Sequence, residues 1–344
     1  RNGWEIDPAW MLFSPGVMPT VRAAILAFSE PGDEVIIQPP VYFPFFDAIR
    51  DNGRVVVENP LREVSPGGHE DAGRTTSPPD PARCSGVRYE MDLDGLESAI
   101  TPRTRMIILC SPHNPVGRVW SADELRGLAA VAERHDLIVV ADEIHSDITR
   151  TGVEFVPYAT LGGEATSRAV ICNSPTKTFN IAGLSSSHAI VPDPDRRSRL
   201  EATFGRLGLT LPNVLALEAA RAAYAEGTTW TDELLAFLDE QIGYVASEVI
   251  GRFGEGADAR VRLSPIEGTY LAWLDLRTVM ERSGASHHEV NRTLLEDEAL
   301  WLSEGRHFGT QGDGFFRMNL ATQRSRVNDG LDRLERAVAR LEDR

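Results

Sequence analysis

Lys177 sits in the string NSPTKTFNIAGL (173–184), directly after the apolar run Arg168–Cys172. Upstream lie Asp142 in VVADEIHSD and Asn114 in SPHNPVGRVW, so the order is Asn114, Asp142, Lys177. Each closely follows a stretch that reads as a β-strand. A lysine amine condenses with an aldehyde, an aspartate keeps a pyridine nitrogen protonated, and an asparagine hydrogen-bonds a ring hydroxyl. Together the three describe a site for pyridoxal 5′-phosphate (PLP). Singly, each has a plainer reading: a solvated lysine, a strand-end aspartate capping a turn, and ordinary His-Asn-Pro turn chemistry. The string around Lys177 holds no other charge, which suits a solvated lysine poorly.

Three further groups fit around that core. SPGVMPT (14–20) opens a helix whose free N–H groups and dipole suit a phosphate, with Gly16 allowing close backbone approach; the bland alternative is an ordinary helix start. Ser174 can add a hydroxyl to the same phosphate. Tyr42, in QPPVYFPFF (38–46), can stack its ring on a pyridine, although an aromatic there also suits a core. Arg317, flanked by Phe316 and Met318 in FFRMNLAT, needs a partner because an unpaired buried charge is costly. A bidentate clamp on a substrate carboxylate and an internal salt bridge both satisfy it.

The elements that must position these groups alternate short apolar runs with helical patterns, the signature of an α/β protein with a mostly parallel sheet. Strands are expected at Glu34–Gln38, Arg54–Glu58, Met106–Cys110, Leu137–Ala141, Arg168–Cys172 and His188–Val191. Helices are expected at Met18–Phe28, Leu96–Ile100, Ala122–His135 (capped by Ser121), Val214–Ala225 and Thr231–Phe253. The texture changes near Pro212, which divides the chain into a large cofactor-binding domain (1–230) and an interdomain helix with a smaller α+β domain (231–344). The segment 62–87, rich in Pro, Gly, Ser and charge, reads as a disordered or surface loop inserted into the large domain.

Composition narrows the function. The net charge of −16 argues against a nucleic-acid surface. No apolar stretch approaches the ~18 residues of a membrane span, and the N-terminus lacks a signal-peptide pattern. Cys84, Cys110 and Cys172 have neither pairing nor metal-ligand spacing, which suits free thiols in a reducing cytoplasm. DEIHSD clusters possible metal ligands but has no second histidine at helical spacing, so no metal is expected. Nucleotide-binding glycine motifs and a G-x-S-x-G elbow are missing from the sequence.

In this order, NGWEIDPAWMLFSPGVMP, QPPVYFPF, CSPHNPVGRVW, ADEIHSD, SPTKTFNIAGL, EGTYLAWLDLR and FFRMNLA make the chain resemble the class I/II aminotransferase family of fold-type-I PLP enzymes. Within it the chain is similar to the MalY/PatB-type cystathionine β-lyase (cysteine-S-conjugate β-lyase) branch. The resemblance implies a seven-stranded, mostly parallel sheet between helices and a homodimer acting on a small amino-acid substrate. It implies that Lys177 is the imine-forming lysine, Asp142 the partner of the ring nitrogen, Asn114 that of the ring hydroxyl, and Tyr42 the stacking ring. Gly16, Val17 and Ser174 would hold the phosphate and Arg317 the substrate carboxylate. His145 stands where many aminotransferases carry tyrosine, a lyase-branch trait, and belongs with the cofactor contacts. Ser185 stands where many carry an arginine, leaving the phosphate to N–H groups and hydroxyls.

The implied reaction is cleavage of L-cystathionine or a related cysteine S-conjugate to thiol, pyruvate and ammonia. An aminotransferase using the same residues is one alternative, and a PLP-binding or interaction protein with little turnover is another. The resemblance also implies that the sequence begins well inside the large domain. A missing N-terminal segment would then leave apolar surface exposed around Thr269–Leu276 and Phe315–Leu320.

Overall fold

The computed structural model describes residues 2–64 and 86–343. In chain order its strands are β1 (Met11–Ser14), β2 (Glu34–Ile37), β3 (Val55–Glu58), β4 (Arg62–Val64) and β5 (Arg88–Glu90). Then come β6 (Thr104–Cys110), β7 (Ile138–Asp142), β8 (Ala169–Asn173) and β9 (Ser187–Ile190). The C-terminal part adds β10 (Arg262–Leu263), β11 (Leu271–Asp275), β12 (Ser303–Glu304) and β13 (Phe315–Asn319).

A seven-stranded sheet runs β1-β9-β8-β7-β6-β2-β3. Its central pairs are parallel, while β9 runs antiparallel to β8 and β1 antiparallel to β9. The continuous apolar runs VII, MIIL and IVVA are what a parallel sheet covered on both faces demands, and all are buried. Successive residues point to opposite faces, so Ile36, Ile107 and Val139 feed one core while Val35, Ile108 and Val140 feed the other. The fold is α/β, as the sequence implied.

The helix Val17–Phe28 packs in the second of these cores, and Ala122–Arg134 in the first. Ser121 and Glu124 close the N-terminus of Ala122–Arg134 with a reciprocal capping box. The helix Pro194–Leu207 was not legible in the sequence, because its polar and charged residues hide a narrow apolar stripe and it buries only Leu200, Thr203 and Phe204. Its one signal is Asp193 at the N-cap followed by Pro194, whose fixed φ suits the first helical position. The edge strand β1 was also not anticipated; it is four residues long and only Ser14 is buried.

A second, four-stranded sheet is ordered β10-β11-β13-β12. The long helix Thr228–Phe253 and the helix Arg324–Glu342 share its core, with Leu274, Phe316 and Leu334 in one cluster. Here the expected exposure of Thr269–Leu276 and Phe315–Leu320 is overturned: Leu271–Leu274, Leu276, Phe315, Phe316, Met318 and Leu320 are all buried. The alternation along β11 and β13 explains it. One face meets the two helices, and the other sends Trp273 and Phe315 into the core of the large sheet beside Tyr89 and Phe308. The loop expected over 62–87 also needs correction, since β4 pairs with β5 in register Arg62↔Glu90, Glu63↔Tyr89 and Val64↔Arg88. Cross-strand pairing, with Arg62 bonded to Glu90, makes its start a hairpin arm. The rest of that expected loop, residues 65–85 including Cys84, lies outside the described residues. Among the described residues no helix is long and apolar enough to cross a membrane.

Candidate active site

Asp142 is the last residue of β7, Asn114 lies four residues beyond β6, and Lys177 four beyond β8. Because these three strands are parallel neighbours, their C-terminal ends stand side by side, where α/β sheets bind ligands. The small sheet faces that edge through β11 and β13. Between them is a cavity of about 320 Å³ lined by Val17, Tyr42, Asn114, Asp142, His145, Lys177 and Arg317, all anticipated from sequence. Tyr270 and Asn319 line it too and were not anticipated. The available signal was strand period: Asn319 follows Arg317 by two residues on β13 and so shares its face.

The electrostatics are set by burial. Burial lowers the Lys177 ammonium below the ordinary lysine value, with Asp142 opposing and Arg317 reinforcing. Burial pushes the Asp142 carboxyl up to about 6, against the pull of the Ile144 N–H and of Lys177. Its Oδ1 accepts a 3.1 Å bond from the Ile144 N–H, and among the described residues no cation lies within ion-pair distance. The carboxylate is therefore a buried acceptor in want of a cationic partner. His145 is pushed down to about 3 by burial, then Lys177 and Arg317, so it is neutral, and its Nδ1 is buried without a hydrogen-bond partner. Its ring meets Tyr270 edge-on at 5.6 Å.

Arg317 is more than half buried, yet its partners are uncharged. Nη1 donates to Asn114 Oδ1 at 2.9 Å and Nη2 to Ser303 Oγ at 3.1 Å, while the guanidinium lies 4.8 Å from the centre of the Phe308 ring. No carboxylate among the described residues is within salt-bridge distance, so the internal salt bridge left open by the sequence does not form. Burial lowers its pKa accordingly. Asn114 has its carbonyl oxygen engaged by Arg317, which leaves its amide N–H groups for another acceptor.

Tyr42 braces one wall, its ring edge-on to Phe45 at 5.6 Å, and burial raises its phenol pKa. Val17 and Met18 belong to the first turn of a helix whose N-cap, Gly16, makes no side-chain cap bond, leaving orphan N–H groups beside the cavity. A Cβ on Gly16 would stand 3.3 Å from Pro19 Cδ. Ser174 and Gly16 do not line the cavity themselves. Ser174 is buried, its hydroxyl donating to the Ser186 carbonyl at 2.5 Å and paired with Thr176 Oγ1 at 2.6 Å. Ser185 takes a left-handed conformation at the end of the short helix Ala182–Leu184.

These residues fit PLP. The cavity offers a depressed amine for an aldehyde, a cation-seeking carboxylate for a pyridinium, amide donors for a ring oxygen, and free helical N–H groups for a phosphate. Composition adds a signal stronger than the motif: of 35 Lys and Arg residues, 34 are arginine and Lys177 alone is lysine. It is the one side-chain primary amine of the chain.

Glu143, the residue after Asp142, lines a different cavity with Trp4, Asn173 and Tyr224. It accepts from the Tyr158 N–H at 2.7 Å, and burial pushes its carboxyl up to about 8. A raised carboxyl pKa stabilises the fold below the ordinary value of 4.5, and that contribution is lost as pH rises through 8. Glu143→Gln is therefore expected to raise the melting temperature at pH 8 relative to pH 5 by roughly 2–4 °C over wild type. Calorimetry at the two pH values checks it; identical pH dependence in both proteins would contradict it.

A family model described as Aminotransferase class I and II matches residues 1–334. The cystathionine beta-lyase PatB of Bacillus subtilis is 35% identical, the match covering 98% of this chain and 80% of that protein. The protein MalY of Escherichia coli is 32% identical, covering 97% and 77%. Among solved structures, cystalysin from Treponema denticola, which contains a pyridoxal 5′-phosphate cofactor, superposes with a TM-score of 0.87. It is 31% identical, with 99% of this chain and 79% of that chain covered.

Proposed function

The chain belongs to the class I and II aminotransferase family, and from that premise we propose that it is a PLP-dependent carbon–sulfur β-lyase. Its substrate would be L-cystathionine or a related cysteine S-conjugate, and its products a thiol, pyruvate and ammonia. The observation that carries this is one cavity holding a depressed lysine, a buried unpaired carboxylate and a guanidinium with only neutral partners.

Bound PLP supplies an electron sink that weakens the Cα–H bond of an attached amino acid. The residues do the rest. Arg317 grips the substrate carboxylate with two parallel N–H bonds, which fixes how the amino acid stands in the cavity. Lys177 Nζ, whose ammonium form burial disfavours, would take the Cα proton. With PLP bound, Asp142 would face the ring nitrogen as an anion and hold its proton in place, and Asn114 would donate to the ring oxygen. The Cβ–S bond then breaks with loss of thiolate, and the three-carbon remainder hydrolyses to pyruvate and ammonia. Tyr42, Phe43 and Tyr270 narrow the cavity and limit water around Lys177.

We take residues 1–230 as the lobe that holds the cofactor and 231–344 as the lobe that brings Arg317. The exposed Leu211, Val214 and Leu215 support a homodimer, and the buried free Cys110 and Cys172 suit the cytoplasm. The reaction class is tested by incubating PLP-loaded protein with L-cystathionine, with and without a keto-acid acceptor. Pyruvate and thiol should form in equal amounts without the acceptor. Product that appears only with the acceptor, as a sulfur-retaining keto acid, would instead identify an aminotransferase. Arg317→Lys keeps the charge but loses the fork, so KM should rise about tenfold or more with PLP affinity nearly unchanged. An unchanged KM, or loss of PLP instead, would remove Arg317 from the substrate.

A further inference from the structure

Glu267 does not line the cavity, yet it joins the two walls that do. Its Oε2 accepts from Arg118 Nε at 2.8 Å and from the Val119 N–H at 2.9 Å. Arg118 is almost wholly buried; it also bonds Glu124 at 2.9 Å and the Tyr89 carbonyl, and lies 4.7 Å over the Trp120 ring. The backbones are sewn together at the same place. The Glu267 and Gly268 N–H groups both donate to the Gly117 carbonyl, at 2.8 and 2.9 Å, and the Arg150 N–H donates to the Glu267 carbonyl at 2.9 Å. Contact is so close that a Cβ on Gly117 would come 3.2 Å from Ile266 Cα, and one on Gly268 would come 2.8 Å from Val119. Gly117 also has φ +75°, which a larger residue would strain.

The clamp has a direction. Three residues before Gly117 is Asn114; three after Glu267 is Tyr270, at the head of β11. That strand pairs Trp273 with Arg317 on β13, and Arg317 reaches back across the cavity to Asn114. The Arg317–Asn114 bond therefore closes a ring whose far side is Glu267–Arg118–Val119.

We propose that Glu267 is a positioning residue: by clamping Arg118 and Val119 it holds the Asn114 loop against the start of β11, so that Asn114, Tyr270 and Arg317 keep their places around the cavity. Its link to catalysis rests on the lyase reading above; the clamp itself does not. Glu267→Gln keeps the shape and one acceptor but removes one of the two carboxylate charges that hold the buried Arg118 guanidinium. Both strapped segments should loosen together.

Hydrogen–deuterium exchange at 113–119 and 266–271 in Glu267→Gln tests the clamp without cofactor, and PLP titration followed by its absorbance tests the positioning. Exchange in both segments should rise about tenfold, the scale of one lost charge-assisted bond, and PLP should bind about tenfold more weakly. Arg118→Lys, which retains the charge but not the fork, should loosen the same two segments and serves if the first variant folds poorly. Arg88→Gln removes the exposed partner 3.3 Å from Glu267 and should change neither readout. Loosening of one segment alone, or of both with PLP affinity within about twofold of wild type, overturns the proposal. A wild-type protein that binds PLP but releases no pyruvate would overturn the lyase reading and leave the positioning result intact.

Discussion

Lys177→Ala is expected to reduce pyruvate release from a cysteine S-conjugate by about 10²–10⁴-fold, the range that a positioned proton-transfer group contributes. The variant should still fold, because Lys177 is half-buried and has no ion-pair partner within bonding distance among the described residues. Lys177→Arg should be equally inactive. It keeps a positive charge in the cavity, but a guanidinium does not lose its proton near neutral pH and cannot accept one from Cα. That pair of variants separates a proton-transfer role from a merely electrostatic one. Steady-state pyruvate assays with circular dichroism as a folding control are sufficient. Activity within about tenfold of wild type in either variant would show that another group takes the proton.

Asp142→Ala is the second large effect, an expected loss of about 10²–10³-fold in kcat, with Asp142→Glu retaining part of the activity. The reason lies in its surroundings. With no cation in ion-pair contact among the described residues, burial holds this carboxyl at about 6, so its anion is costly in the free protein and is stabilised when a pyridinium stands opposite. Raised above the ordinary carboxylate value of 3.8, it contributes stability below that pH which is lost as pH passes through 6. PLP binding should reverse that trend by drawing the pKa down. The thermal stabilisation conferred by PLP should therefore grow between pH 5 and 7 in wild type and stay flat in Asp142→Ala. Near-native kcat in Asp142→Ala would reduce Asp142 to a cap for the Ile144 N–H.

The parts of the site that were legible in the sequence are those whose residue types and strand positions are jointly rare. Asp142 ends an apolar strand, and Asn114 and Lys177 follow two neighbouring ones, so parallel pairing of β6, β7 and β8 sufficed to bring them together. Arg317 was legible as a charge in an apolar strand, but its partner was not. The choice between salt bridge and free clamp depended on Asn114 and Ser303, which lie 203 and 14 residues away in sequence. Tyr270 was not singled out, because nothing local says that the small sheet turns that position toward the large one. The burial of β11 and β13 was misjudged for a related reason: their second face is covered by the large lobe, through Tyr89 and Phe308, and not by a neighbour in sequence. Glu267 carried no signal, since its partner Arg118 is 149 residues away.

The most direct test of the account uses the fact that Lys177 is the chain's one lysine. PLP-saturated protein is treated with borohydride, digested, and its peptides mapped by mass spectrometry. One reduced cofactor per chain is expected, on the peptide that contains Lys177, and none after Lys177→Arg. A folded, saturated protein without a reducible adduct, or with the cofactor fixed only on the N-terminal amine, would contradict it.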